Sequence, residues 1–232
     1  MLSSRAGRLK SRAKLRNLRN RCAMWNKPHQ PFLVVLSSPS GAGKTTICRE
    51  VVRRDKKIFY SVSATTRPPR KNEVNRKSYI FLSEKKFRQL VAANELLEHA
   101  EVYGYLYGTP KRPVLKAFRA GRDVIADLDI QGMRSCKRML PGTVSIFILP
   151  PSFAELQRRL TRRGTEADQE LQRRQEALKS EIACIPEFDY LVINDKLEKA
   201  VRDVLTIIRA ERLRTGRKIQ KIQGGFNEVC VD

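Results

Sequence analysis

Apolar residues fall in short unbroken runs along this chain. Phe32-Leu33-Val34-Val35-Leu36 is the first, and comparable runs recur at 124–128, Val144–Leu149 and Tyr190–Ile193. Runs of this length without alternation mark strands covered on both faces, as in parallel sheets. Helical spacing follows them: Ile47, Glu50, Val51 and Arg54 after the first, 152–162 and about 168–184 after the third, and 196 to about 214 after the last. This alternation predicts an α/β fold, a doubly wound parallel sheet flanked by helices. Residues 60–109 break the rhythm. Strand-prone pieces at 60–64, 79–82 and 97–103 surround one helix near 84–94, which predicts a small α+β domain inserted over 61–109. The main core is then expected over 31–60 and 110–214.

Charge adds a second pattern. The 232 residues include 47 Lys+Arg and 24 Asp+Glu, a net +23, while 41% are hydrophobic, enough for a folded core. Residues 1–30 hold nine bases and no acid, and the first acid anywhere is Glu50. A second basic stretch begins at Arg209, so 1–30 reads as a basic extension and 215–232 as a basic tail. The excess calls for an anionic ligand. A nucleic acid is one candidate, but no readout motif accompanies the charge, and no specific nucleic-acid partner is expected. No run of 18 apolar residues occurs, so no membrane partner is expected. The five cysteines are dispersed without a C-x-x-C and the histidines are only two. That speaks for a reducing compartment and against a zinc site. The acid-free N-terminus resembles an organelle transit peptide; a cytoplasmic location is the expectation, with mitochondrial targeting as the alternative.

The segment Ser37-Ser38-Pro39-Ser40-Gly41-Ala42-Gly43-Lys44-Thr45-Thr46 joins the first apolar run to a helix. It fits a phosphate-binding P-loop, with Ser38 where the first glycine would stand. Small residues let successive backbone N–H groups turn inward around phosphate oxygens at a helix N-terminus that also favours anions. Lys44 then reaches the β- and γ-phosphates of a nucleotide such as ATP, and the Thr45 hydroxyl is placed to ligate Mg²⁺.

Further along, Ser61-Val62-Ser63-Ala64-Thr65-Thr66-Arg67-Pro68-Pro69-Arg70 is followed by the stretch 95–110, by Ala126-Asp127-Leu128-Asp129-Ile130-Gln131-Gly132, and by Arg162-Arg163-Gly164-Thr165. These motifs, in this order, resemble guanylate kinase, a P-loop nucleoside monophosphate kinase family, from about Pro31 to Ala210. The residues themselves are compatible with it. Two prolines stiffen the loop between Arg67 and Arg70, so both guanidinium groups can be held toward one anion, with Tyr79 and Tyr107 as phenolic donors. The resemblance implies that these four hold the phosphate of GMP. It implies that Glu98 and Asp129 read the guanine, with Ser63 and Thr109 as hydroxyl partners. Carboxylates suit that task because guanine presents N1–H and N2–H₂ as donors.

Asp127 and Asp129 are expected on one side of a strand at the sheet's carboxyl edge, where open α/β sheets bind ligands. The resemblance gives Asp127 the support of Mg²⁺, mostly through water, and of Lys44. It also implies an Arg-rich lid over about 156–175, in which Arg159, Arg163 and Arg174 stabilise the transferring phosphoryl group, and it places Asn194 at the adenine of ATP. The sequence departs from the family pattern at Asn72, Arg76, Ser78 and Tyr105-Leu106. The implied activity is Mg²⁺-dependent transfer of the ATP γ-phosphoryl group to GMP. The alternative is a guanylate-kinase-like binding module that does no chemistry.

Overall fold

The computed structural model describes residues 29–39, 41–70, 73–102, 104–161 and 178–217. Pro31–Ile208 form one compact unit. Its main sheet consists of β1 (Leu33–Ser37), β2 (Ile58–Tyr60), β7 (Asp123–Asp127), β8 (Val144–Leu149) and β9 (Tyr190–Ile193), in the order β2-β7-β1-β8-β9. Every pairing is parallel.

The unbroken apolar run of β1 is used on both faces. Val34 and Leu36 pack with Ile47 and Val51 of α1 (Lys44–Arg54) and with Val201, Val204 and Ile208 of α6 (Leu197–Leu213). Leu33 and Val35 point the other way, toward Val114 of α3 (Lys111–Arg119) and Met133 and Cys136 of α4 (Ile130–Met139). Period-two alternation thus feeds two separate cores from one central strand. The fold is the expected α/β sheet flanked by helices. α5 (Phe153–Thr161) follows β8, and of the stretch read as a helix over 168–184 the described part, 178–183, is helical.

The region 61–109 holds a second sheet, in the order β4-β3-β6-β5, from β3 (Ala64–Thr65), β4 (Ile80–Phe81), β5 (Leu96–Val102) and β6 (Tyr105–Pro110). The helix α2 (Glu84–Ala92) covers it with a fully buried Phe87 against Ala64 and Leu96. Two expectations change here. The piece 60–64 is not one strand: Tyr60 ends β2 in the main sheet, Ser61 N–H still donates to Ile125 O at 2.9 Å, and β3 of the second sheet starts at Ala64. The piece 97–103 is one arm of a hairpin whose other arm, β6, carries Tyr107 and Thr109.

A bulge in β5 sets the phase of the hairpin. Leu96 pairs Pro110 and Glu98 pairs Thr109, so Leu97 is the extra residue. Leu96 enters the small core with Phe87, whereas Leu97 enters the main core with Val114 and Met133. Beyond the bulge Glu98, Ala100, Tyr107 and Thr109 share one face.

Residues 29–30 and 209–217 belong to another unit. Within it Glu211, 2% exposed, pairs with Arg217 at 3.0 Å, and Gln30 N–H donates to Arg217 O at 3.0 Å.

Candidate active site

The loop after β1 leaves the carboxyl edge of the sheet at its central strand, where connections diverge to either side. Gly43 has φ 92°, a left-handed conformation that side chains rarely adopt, and a Cβ there would lie 2.7 Å from Asn194 Nδ2. That amide donates to Ala42 O at 2.7 Å. Asn194, buried at the end of β9, therefore braces the phosphate loop with its amide nitrogen. Ser38, Pro39, Gly41 and Ala42 line the turn, and Lys44, Thr45 and Thr46 open α1; Ser40 lies outside the described residues. Lys44 Nζ donates to Leu128 O at 3.1 Å.

Asp127 ends β7 beside this turn. Thr45 Oγ1 donates to its Oδ2 at 2.7 Å, and Tyr60 Oη donates to its Oδ1 at 3.0 Å. Burial and the neighbouring Asp127 charge push the Tyr60 phenol far up, so it remains a donor. Asp129 does not continue the strand beside Asp127, contrary to expectation. It is the N-cap of α4, and its Oδ1 accepts from Gly132 N at 2.8 Å, satisfying one of the helix's otherwise unpaired N–H groups.

Glu98 approaches Asp129 from the hairpin. A Cβ on Gly132 would sit 3.0 Å from Asp129 Oδ1 and 3.1 Å from Glu98 Oε2, so the absent side chain leaves room between two carboxylates. Burial pushes the Glu98 carboxyl up to about 7; the Thr109 hydroxyl, which donates to Oε1 at 2.6 Å, pulls it down, and the Asp129 charge raises it. The Ser63 hydroxyl, just before β3, is buried without a hydrogen-bond partner among the described residues, as is that of Ser61 beside the main sheet.

The expected phosphate clamp is only partly assembled. Arg67 lies 5.4 Å from the Tyr79 ring centroid and 5.9 Å from that of Phe81, and the Tyr79 and Tyr107 rings meet edge to face. Its guanidinium, however, grips Glu73, with Nη2 at 2.7 and 2.9 Å from the two carboxylate oxygens. Arg70 offers its backbone N–H to the same carboxylate at 2.8 Å, and its side chain is exposed. Glu73 thus engages both arginines, Arg67 through its guanidinium and Arg70 through its backbone N–H. Of the lid residues, Arg163 and Arg174 lie outside the described residues, as does the side chain of Arg159.

Three residues escaped sequence reasoning. Glu73 had a signal, as an isolated acid in the basic loop 67–77. Tyr60 was merged into the wrong strand. Glu181, in the helical stretch 178–183, had none: burial raises its carboxyl to about 7, the Lys44 charge lowers it and the Asp129 charge raises it.

A phosphate loop on the central strand of a parallel sheet, with an aspartate ending the next strand against the loop threonine, defines the P-loop nucleotide kinase class. The guanylate kinase family model matches residues 30–211. A curated guanylate kinase of Carboxydothermus hydrogenoformans is 44% identical over 86% of this chain and 99% of its own length. One from Thermotoga maritima is 44% identical over 85% and 95%. The crystal structure of guanylate kinase from Anaplasma phagocytophilum superimposes with a TM-score of 0.70 at 32% identity, over 82% of this chain and 90% of that one. The chain belongs to the guanylate kinase family of enzymes. These relatives are named as enzymes and do not favour the inactive-module alternative. Among the described residues no helix is long and apolar enough to cross a membrane.

Proposed function

We propose that this protein transfers the γ-phosphoryl group of ATP to GMP, giving ADP and GDP. The observation that carries the choice of acceptor is the pair of carboxylates facing each other across Gly132, with the Thr109 hydroxyl on one of them. An edge lined with acceptors suits guanine, whose N1–H and N2–H₂ both donate, and penalises adenine, whose N1 would meet a carboxylate lone pair. Ser63 supplies a hydroxyl whose hydrogen bond is unmade in the protein alone. Arg67, Arg70, Tyr79 and Tyr107 bind the GMP phosphate once Glu73 releases Arg67.

On the donor side, backbone N–H groups of the segment from Ser38 to Thr46, other than that of Pro39, which has none, cradle the ATP phosphates, Lys44 leaves Leu128 O to reach them, and Asn194 borders this site. Arg159, Arg163 and Arg174 then stabilise charge on the transferring group. The GMP phosphate is the nucleophile, so positioning and electrostatics carry the catalysis and no covalent intermediate is required. Thr45 and Asp127 would hold Mg²⁺, the latter mostly through water. Their two oxygens lie side by side, a hard donor set suited to this ion. When bound, Mg²⁺ would supply positive charge that offsets the charge of the nucleotide phosphates. A cytoplasmic location is part of this reading, supported by bacterial relatives and by free thiols at Cys48, Cys136 and Cys184.

The test is a coupled assay of ADP formation from ATP with GMP, dGMP, AMP and UMP as acceptors. GMP should exceed AMP in kcat/KM by at least about a hundredfold. Comparable rates with AMP would remove the guanine assignment.

A further inference from the structure

Tyr60 belongs to no motif in the sequence, yet its hydroxyl reaches the carboxylate that faces the phosphate loop. The parallel register explains how. Tyr60 pairs Ile125, and Asp127 lies two residues further along β7 on the same face, the diagonal neighbour that an aromatic side chain can span. That face is the one covered by α1, whose first turn carries Thr45. The Tyr60 ring is partly buried against the core that includes Ile125, which limits the directions open to its hydroxyl. Asp127 is consequently held at both ends, by Tyr60 on Oδ1 at 3.0 Å and by Thr45 on Oδ2 at 2.7 Å.

We propose that Tyr60 is a positioning residue for the phosphoryl-transfer site: it pins one oxygen of Asp127 so that the other stays beside Thr45, where a divalent cation would be received. The inference rests on the proposed reading of Thr45 and Asp127. A carboxylate held at one oxygen loses rotational freedom before the ion arrives, and the hydroxyl spreads part of its charge. Tyr60 also ends the last strand of the main sheet before the chain crosses to the second sheet, so the tether sits at the root of the Ser63 to Arg67 segment.

The experiment is Tyr60→Phe, which keeps the ring in its packing and deletes only the hydroxyl. Binding of ADP and of a non-hydrolysable ATP analogue is measured by calorimetry with and without Mg²⁺, beside kcat and KM for GMP. Metal-free nucleotide affinity should stay within about twofold, while the gain from adding Mg²⁺ falls about tenfold, the size typical of losing an outer-shell partner. kcat should fall with KM for GMP unchanged. In an Asp127→Asn background, Tyr60→Phe should have no further effect on the Mg²⁺ response. An undiminished Mg²⁺ gain in Tyr60→Phe overturns the proposal, and so does an equal loss with and without the metal, which would make the hydroxyl a support of the fold. Absence of any Mg²⁺ gain in the unmodified protein would instead sink the reading of Thr45 and Asp127 and this inference with it.

Discussion

A carboxylate that reads a donor-rich base edge has to be both ionised and nearly dry, and at Glu98 those requirements conflict. Its folded value of about 7 lies above the ordinary 4.5, so between these limits the folded state binds more protons than the unfolded one. Stability therefore falls as pH rises through that window and levels off above about 7. Glu98→Gln removes the penalty and still accepts from Thr109. It should be more stable than the parent at pH 8, by on the order of 1–3 kcal/mol, with the advantage vanishing below about pH 4.5; urea titrations across pH check this. The same change should cost function. One amide face must donate toward a base edge that also donates, so kcat/KM for GMP should drop roughly ten- to a thousandfold and the GMP over AMP preference should shrink. An unchanged preference would show that Glu98 does not read the base.

Among elements, α4 and the loop 73–79 make separable demands. Gly132 lies in the first turn of α4, where alanine would gain at most about 1 kcal/mol of helix propensity, but its Cβ would press on both carboxylates. Gly132→Ala should leave thermal stability within about 1 kcal/mol while raising KM for GMP about tenfold and sparing KM for ATP, as steady-state kinetics would read. Arg76 has φ 64° and donates its N–H to Tyr79 O at 2.7 Å, a left-handed turn held by a residue with a side chain. Arg76→Gly should therefore raise stability by up to about 1 kcal/mol, measured by thermal unfolding. These elements also show what a sequence makes legible. β1, β8 and β9 were readable because strands buried on both faces leave unbroken apolar runs, and the phosphate loop because its chemistry is local. β3 and β4 have two residues each, too few for any period, and their pairing spans distant positions. Asp129 looked like a strand residue because nothing local marks where β7 ends and a helix cap begins. Glu73 and Tyr60 act through contacts 6 and 67 residues away in sequence, which spacing alone does not announce.

For the whole molecule, the described site residues run from Ser38 to Asn194, all inside the unit Pro31–Ile208. Residues 1–30 hold nine bases and no acid and precede all of those residues in the sequence. Their deletion should leave specific activity within about threefold, a change below 1 kcal/mol in barrier, as a coupled assay at matched protein concentration would show. A folded truncation that has lost most of its activity would place part of the basic segment in the catalytic cycle.

The bulge at Leu97 bears on how the protein melts. Because Leu96 plugs one core and Leu97 the other, β5 is a wall shared by both sheets. Peeling the small sheet away would strip a buried leucine out of the main core, so neither half can loosen at its own midpoint. The region holding Glu98, the carboxylate proposed to read the base, is thereby tied to the cooperative unfolding of the kinase core.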